Sequence, residues 1–374
     1  MFRLIGGELR ILFAISTLGR GGAERVASIL CNAWAARGHE VVLVQTYSQG
    51  PVTAYELAPA IRHLSLTNSG SADGTSGTIM RMATFRNIVK SERPDVIVSF
   101  MSHVNVFVMI STLFLKIPRI LAERSDPIFN PIPFGLRFAC RFFYPLAELV
   151  VMQTEEQTER IVEAFGSIPR TMVIPNPLPR DLPSPRQNQF GRDRKILISL
   201  GRLSQEKRVD VVIEAFSQVA GQARDWDLHI YGDGPCRAML QAQAKRSPFC
   251  DRIIFKGYSD QAYNTFSEAD LFIMTSDYEG FPNALLEAMA LGLAVVSSDC
   301  PCGAKEITRN GEDGLLVQVG DMAALSEALL RMMNDGAART ELGWRASQSV
   351  RNRFALEKVM TLWNEALLTA RASK

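Results

Sequence analysis

The sequence is poor in residues that build metal and redox sites. Four histidines occur, none at ligand spacing from a cysteine or from each other, which argues against a zinc site. The six cysteines, Cys31, Cys140, Cys236, Cys250, Cys300 and Cys302, are scattered and form no C-x-x-C pair. A disulfide framework is disfavoured, and reduced thiols of a cytoplasmic protein are expected. Long hydrophobic runs are missing. The most apolar stretch, residues 104–115, is about 12 residues long, against the ~20 that a spanning helix needs, so no transmembrane helix is expected. Residues 1–14 are apolar but interrupted by Gly6, Gly7 and Glu8, with no small-residue cleavage site after them; a signal peptide is not expected. An excess of one charge is also absent. The net charge of +2 disfavours a dedicated nucleic-acid binder.

The sequence does hold apolar material for two cores. Of its 374 residues, 47% are hydrophobic and 21% charged, a globular balance at a length that fits two domains of comparable size. Charge is unevenly spread. Residues 1–190 carry 19 Lys/Arg against 15 Asp/Glu, and the remainder carries 22 against 24, so the first half is expected to face something anionic. Strand-like apolar runs at residues 10–15, 40–46, 95–100, 120–123, 149–153 and 172–174 alternate with amphipathic stretches such as 23–37 and 102–115. The alternation restarts, with strands expected at 196–200, 227–231, 252–255, 271–275 and 294–297 and helices at 209–220, 236–245, 284–291 and 322–335. Such alternation implies right-handed βαβ units and parallel sheets covered on both faces. Residues 177–194 contain four prolines and no period. The expected fold is α/β: two doubly wound, Rossmann-like domains at 1–180 and 195–355 with a cleft between them, a linker at 181–194, and a helix at 356–374 that packs across the linker. Ligands of such sheets sit beyond the carboxyl ends of the strands.

Three loops at those ends carry chemistry. Ser16-Thr17-Leu18-Gly19-Arg20-Gly21-Gly22-Ala23-Glu24 joins a strand to a helix, and its glycines let backbone N–H groups approach a phosphate. The spacing is not G-x-G-x-x-G, and no acidic residue ends the next strand to hold a ribose. A tight turn and a phosphate cradle are equal readings. Gly201-Arg202-Leu203-Ser204-Gln205-Glu206-Lys207 delivers two cations into one loop. They suit a pyrophosphate, Arg202 as a fork and Lys207 as a point charge, although a solvated basic loop fits the bare residues as well. In Asp277-Tyr278-Glu279-Gly280-Phe281-Pro282-Asn283-Ala284-Leu285-Leu286-Glu287, Pro282 is placed like a first-turn proline and Gly292 like a helix terminator. The helix so defined offers its N-terminal N–H groups to an anion. Glu279 and Glu287 near such an end need hydroxyl donors, which a sugar or ribose supplies; solvated helix glutamates are the alternative.

The Glu279-x7-Glu287 pattern around Gly280-Phe281-Pro282-Asn283-Ala284 resembles the retaining GT-B glycosyltransferases of family GT4. The resemblance extends over nearly the whole chain, through Gly201-Arg202-Leu203 with Lys207, Tyr231-Gly232-Asp233-Gly234-Pro235, Phe255-Lys256-Gly257-Tyr258 and Asn310-Gly311-Glu312-Asp313-Gly314. Ala122-Glu123-Arg124-Ser125-Asp126-Pro127, Ile174-Pro175-Asn176-Pro177-Leu178 and Asp299-Cys300-Pro301-Cys302-Gly303 resemble the subgroup that builds bacterial polysaccharides and polyprenyl-diphosphate-linked glycans.

The resemblance implies that residues 1–180 bind the acceptor and residues 195–355 a UDP-sugar. Arg202 and Lys207, after Gly201, neutralise the diphosphate. Glu287 takes the ribose hydroxyls, and Glu279 the donor sugar. The backbone of Gly280, Phe281, Pro282, Asn283 and Ala284 holds sugar hydroxyls or phosphate. Gly21 and Gly22 close over the phosphates, and Gly257 and Tyr258 lie near the base. Many members carry a histidine where this chain has Glu123 and Arg124, which leaves His103 as a candidate substitute or a plain helix-start residue. Cys302 and Ala304 also depart from the family pattern.

The reaction so implied is retaining transfer of a hexose or N-acetylhexosamine to a glycan acceptor, lipid-linked on polyprenyl diphosphate. No cofactor and no metal are expected, since side-chain cations serve the diphosphate and no D-x-D stands out to hold Mg²⁺. Residues 134–144, aromatic and basic without an acid, suit a helix lying on an anionic membrane surface or a buried aromatic helix. Peripheral attachment to the cytoplasmic face of the membrane is expected, and no nucleic-acid partner. A GT-B-shaped UDP-sugar epimerase and a non-catalytic UDP-sugar-binding protein are the alternatives.

Overall fold

The computed structural model describes residues 7–49, 53–67, 75–129, 132–185, 193–259 and 262–373. The chain divides into two units. The first comprises Met1–Pro177 and Leu356–Lys374, the second Leu178–Ala355.

In the first unit, β1 (Arg10–Ile15), β2 (Glu40–Gln49), β3 (Arg62–Thr67), β4 (Val96–Phe100), β5 (Arg119–Ala122), β6 (Leu149–Met152) and β7 (Thr171–Val173) form one sheet in the order β3-β2-β1-β4-β5-β6-β7. Every pairing in it is parallel. β1, β4 and β6 are unbroken apolar runs apart from Arg10 and Ser99, because both faces of the sheet are covered. The helix Gly22–Ala35 buries Val26, Leu30 and Trp34 on one face. The helix Leu356–Ala372 lays Val359, Met360, Trp363, Ala366 and Leu367 into the same core as Phe13 and Phe100. The Trp34 and Trp363 rings meet edge to face at 5.7 Å, so this last helix is part of the first unit's core.

In the second unit, β8 (Lys195–Leu200), β9 (Trp226–Tyr231), β10 (Ile253–Gly257), β11 (Leu271–Met274), β12 (Ala294–Ser298) and β13 (Leu315–Val317) form a parallel sheet in the order β10-β9-β8-β11-β12-β13. In both sheets the winding reverses beside the first strand, at β1/β4 and at β8/β11. That switch point is where doubly wound sheets open a crevice for ligands. The helix Asn283–Ala290 buries Leu285, Leu286, Ala288 and Met289 in a core that includes Phe272, Val295, Ala346 and Val350.

Strands β3 and β13, and the helices Thr75–Glu92, Glu155–Phe165 and Gly336–Arg353, lie outside the set expected from the sequence. Of the expected linker, residues 186–192 lie outside the described residues. Leu178 already belongs to the second unit: it is buried in that unit's core, and its N–H donates to the Phe354 carbonyl at 2.8 Å.

Candidate functional site

The carboxyl ends of β8, β9 and β10 are stitched together by backbone. Gly201 N–H donates to the Tyr231 carbonyl (3.1 Å), Leu203 N–H to Asp233 (2.9 Å), and Gly232 N–H to Gly257 (2.8 Å). These contacts require glycine. A Cβ on Gly232, at φ +131°, would stand 1.8 Å from the Gly201 oxygen, and one on Gly234 would stand 2.4 Å from the Leu203 oxygen. The Gly201–Lys207 loop is thereby pressed into one shape. It ends in a single 3₁₀ turn, Gln205–Lys207.

That shape brings Lys207 to Glu279. The ammonium donates to Oε1 at 2.7 Å and to Oε2 at 2.6 Å, and Ser276 Oγ donates to Oε1 at 2.7 Å. The side chains are 25% and 11% exposed. The backbone around them is tied as well: Asp277 N–H donates to the Glu206 carbonyl at 2.9 Å, and Thr275 Oγ1 to the Arg208 carbonyl at 2.8 Å. Arg208 itself pairs with Asp210 and Asp277. Burial opposes ionisation of Glu206, but the Ser204 hydroxyl, a backbone donor and the Lys207 and Arg202 charges hold its carboxyl below the usual range. Arg202 is exposed, and its guanidinium makes no hydrogen bond or ion pair among the described residues.

Pro282 is the residue just before the helix rather than its first, with φ −78°. Phe281 is buried, and Glu287, in the second turn, is only 5% exposed. The loop Asp299–Gly303 packs on this entry. Glu279 N–H points to the Pro301 carbonyl at 3.4 Å, and a Cβ on Gly303 would meet the Pro282 ring at 2.9 Å. Burial pushes the Cys300 thiol up to about 12, keeping it protonated beside Glu279. Tyr258 is half exposed, after Gly257 at φ +75°.

The chain does contain one D-x-D, Asp225-Trp226-Asp227, contrary to the expectation from sequence. It lies at the amino end of β9, away from the ligand edge, with Asp225 paired to Lys195 and Asp227 to Arg194. Among the described residues no group of three or more His, Cys, Asp or Glu could hold a metal ion.

In the first unit, Gly21 precedes the helix Gly22–Ala35 in extended backbone, and its carbonyl accepts from the Tyr55 hydroxyl at 3.1 Å. His103 stands in the first turn of the helix Ser102–Ser111, edge to face on Tyr47 at 5.5 Å, and burial lowers its pKa. Glu123, one residue past β5, is sealed inside the unit. Its carboxyl accepts from Ser102 Oγ (3.0 Å), Asn105 Nδ2 (3.2 Å) and the Tyr144 hydroxyl. Burial outweighs these donors and raises its pKa to about 7. Arg124 leans to the other face, over the Phe100 ring at 3.6 Å, and donates to Asn176 at 2.8 Å. On the outer surface, Phe134, Phe138 and Phe142, spaced by four along the helix Phe134–Phe143, are 84%, 64% and 61% exposed. Arg137 donates back to the Ala164 carbonyl, and Arg141 lies against Gly166. The phenylalanine stripe is bare while Cys140 and Tyr144 are fully buried, so the segment has one face in the core and one exposed, and the buried reading holds for one face only.

Known proteins decide the family to which this geometry belongs. Residues 20–182 match the family described as glycosyltransferase family 4, and residues 183–349 that described as glycosyl transferases group 1. The chain belongs to these glycosyltransferases. It is 26% identical over 362 residues to the GalNAc-alpha-(1->4)-GalNAc-alpha-(1->3)-diNAcBac-PP-undecaprenol alpha-1,4-N-acetyl-D-galactosaminyltransferase of Campylobacter jejuni, covering 95% of this chain and 97% of that one. It is also 34% identical over 223 residues to an exopolysaccharide phosphotransferase of Streptomyces coelicolor, covering 59% of this chain but only 23% of the longer protein. The chain thus spans about a quarter of that relative's length. The crystal structure of Anabaena HepE in complex with UDP superposes with a TM-score of 0.80 at 18% identity, covering 96% of this chain and 100% of that one. The fold is GT-B, its two Rossmann-like domains being the seven- and six-stranded units.

In this glycosyltransferase, the second unit gathers Gly201, Arg202, Lys207, Gly257, Tyr258 and Glu279 to Glu287 at the carboxyl edge of one sheet. Gly21, Gly22 and His103 lie at the corresponding edge of the other. The sequence reading missed Ser276, which fixes Glu279, and the buried set Ser102, Asn105 and Tyr144 around Glu123. A glutamate ending the apolar run Ile120-Leu121-Ala122 was the available signal for the latter.

Proposed function

We propose that the chain is a retaining hexosyl- or N-acetylhexosaminyltransferase that uses a UDP-sugar and a glycan acceptor carried on polyprenyl diphosphate. The observation that carries this reading is Lys207 paired with Glu279 just before the helix Asn283–Ala290, with buried Glu287 in that helix's second turn and Arg202 exposed on the same loop as Lys207. As the sugar–phosphate bond lengthens, negative charge grows on the diphosphate. Arg202, Lys207 and the N–H groups of the helix entry stabilise that charge without a metal ion. Glu287 accepts the ribose hydroxyls, Glu279 stands by the sugar ring as it gains positive charge, and Tyr258 lies beside the base. The bare stripe of Phe134, Phe138 and Phe142 with Arg137 and Arg141 rests on an anionic membrane surface on the cytoplasmic side, where a lipid-linked acceptor is met. Among the described residues no helix is long and apolar enough to cross a membrane.

A thermal-shift and hydrolysis screen over nucleotide sugars, run in EDTA, tests this. UDP at about a hundred times its Kd should stabilise the protein by ~2.7 kcal/mol, and one UDP-sugar should be slowly hydrolysed to the sugar of the same anomeric configuration. Binding of UDP only when Mg²⁺ is supplied would overturn the metal-free site. Absence of both binding and turnover would overturn the donor assignment.

A further inference from the structure

The two cations of the Gly201–Lys207 loop are not equivalent. Arg202 is exposed and its guanidinium is unpaired among the described residues, whereas Lys207 is held by both oxygens of Glu279. The pair is anchored from both sides. Ser276 Oγ fixes Glu279 Oε1, and the Ser276 carbonyl in turn accepts from buried Ser298 Oγ at 2.7 Å. The backbone at Glu206 and Arg208 is bonded to Asp277 and Thr275. With Glu279 only 11% exposed, the carboxylate cannot swing into water without breaking these contacts.

We infer that Glu279 is the counter-ion of Lys207 as well as a neighbour of the sugar, and that this pairing weakens the hold of the site on a nucleoside diphosphate. The inference rests on the donor reading given above. A diphosphate arriving at Lys207 must share the ammonium with a fixed carboxylate, and that carboxylate repels it. Arg202, exposed and without a hydrogen-bonded or ion-paired partner among the described residues, supplies the positive charge that captures the anion; Lys207 completes the site at reduced strength. The consequence is a product, UDP, that leaves. UDP lacks the donor sugar, so a carboxylate that touched only that sugar, away from the diphosphate, would have little effect on UDP binding.

Calorimetric titration of the full chain with UDP, and separately with inorganic pyrophosphate, tests the inference on wild type, Glu279→Gln and Lys207→Met, with thermal melts to establish folding. Glu279→Gln should bind both ligands about three- to tenfold more tightly, the size of one charge–charge interaction at a part-exposed site. UDP should also become a correspondingly stronger product inhibitor, and Lys207→Met should bind UDP more weakly than wild type. Ser276→Ala, which releases one anchor of Glu279, should shift UDP affinity in the same direction as Glu279→Gln by a smaller factor. If Glu279→Gln binds UDP as wild type does, or more weakly, the inference is overturned whatever happens to kcat. If wild type itself fails to bind UDP, the donor reading falls and takes this inference with it, an outcome recognised because the variants are then silent too.

Discussion

The two units wind their sheets in the same sense and differ in what stands at the carboxyl edge. In the first, a carboxyl is sealed: Glu123 is fully buried among Ser102, Asn105 and Tyr144. In the second, beside buried Glu287, two carboxylates are part-exposed and ion-paired, Glu279 against a lysine and Asp277 against Arg208. Backbone explains part of the difference. Around β8 and β9 the loops touch through glycines with no side chain between them, which leaves charged groups facing outward. Past β4 and β5 the chain instead carries Ser102, Asn105 and Glu123, which bond to one another and to Tyr144 in the interior. One sheet topology therefore supports an open charged site or a closed polar one, depending on the loop residues at the strand ends.

The sharpest way to break this comparison is to put a methyl group on a glycine of each unit. Gly232→Ala drives a Cβ to 1.8 Å from a carbonyl oxygen at φ +131°. It should cost several kcal/mol and lower the Tm by about 10 °C. Gly21→Ala meets only the flexible Glu24 carboxyl, in extended backbone, and should move the Tm by less than about 2 °C. Equal losses in calorimetric scans would mean that glycine has the same role in both loops.

The sealed carboxyl should reveal itself through pH. Burial raises the Glu123 value from 4.5 to about 7 in the folded protein. The unfolded chain ionises first, so the stability of the neutral form is complete below about pH 4.5 and is lost as pH rises to 7. Glu123→Gln lacks this loss. In urea melts its stability relative to wild type should rise by on the order of 3 kcal/mol from pH 4.5 to 8. A pH-independent difference would place a charged carboxylate in the folded core.

In the second unit, Glu287→Gln should raise the donor KM about 5- to 100-fold with kcat within about twofold, because a ribose contact is similar in ground and transition states. A fall in kcat alone would move Glu287 to the reacting sugar. The smallest effects belong to the outer surface. Flotation with anionic liposomes at low salt should weaken by about fivefold for each of Arg137→Gln and Arg141→Gln, at ~1 kcal/mol per basic residue, and for Phe138→Ser. The exposed Trp344 of the second unit is a control, and Trp344→Ala should float like wild type.

How much of this was legible in the sequence depends on how local each feature is. β1, β4, β11 and β12 are buried on both faces and, apart from Arg10, Ser99, Ser297 and Ser298, read as apolar runs. β3, with the sequence Arg-His-Leu-Ser-Leu-Thr, is a sheet edge, and β13 has three residues; neither gives a run. Gly336–Arg353 is a helix with so many polar residues that its buried Ala346, Ser347 and Val350 leave no visible stripe. The helix-entry segment from Asp277 to Glu287 was legible because strand, loop and helix are consecutive in the chain. The ion pair of Lys207 with Glu279 joins positions 72 residues apart, and the Glu123 cluster draws on separate segments. Only folding brings such groups together.

The helix Leu356–Ala372 has a consequence for how the molecule is made. Trp363 fills a core with Trp34 and Phe100, yet the ribosome delivers it after the entire second unit. The second unit is one uninterrupted stretch and can condense as it emerges. The earlier-born sheet must wait, its apolar face uncovered, until the last helix arrives. During that interval it is the part of the nascent chain most in need of a chaperone.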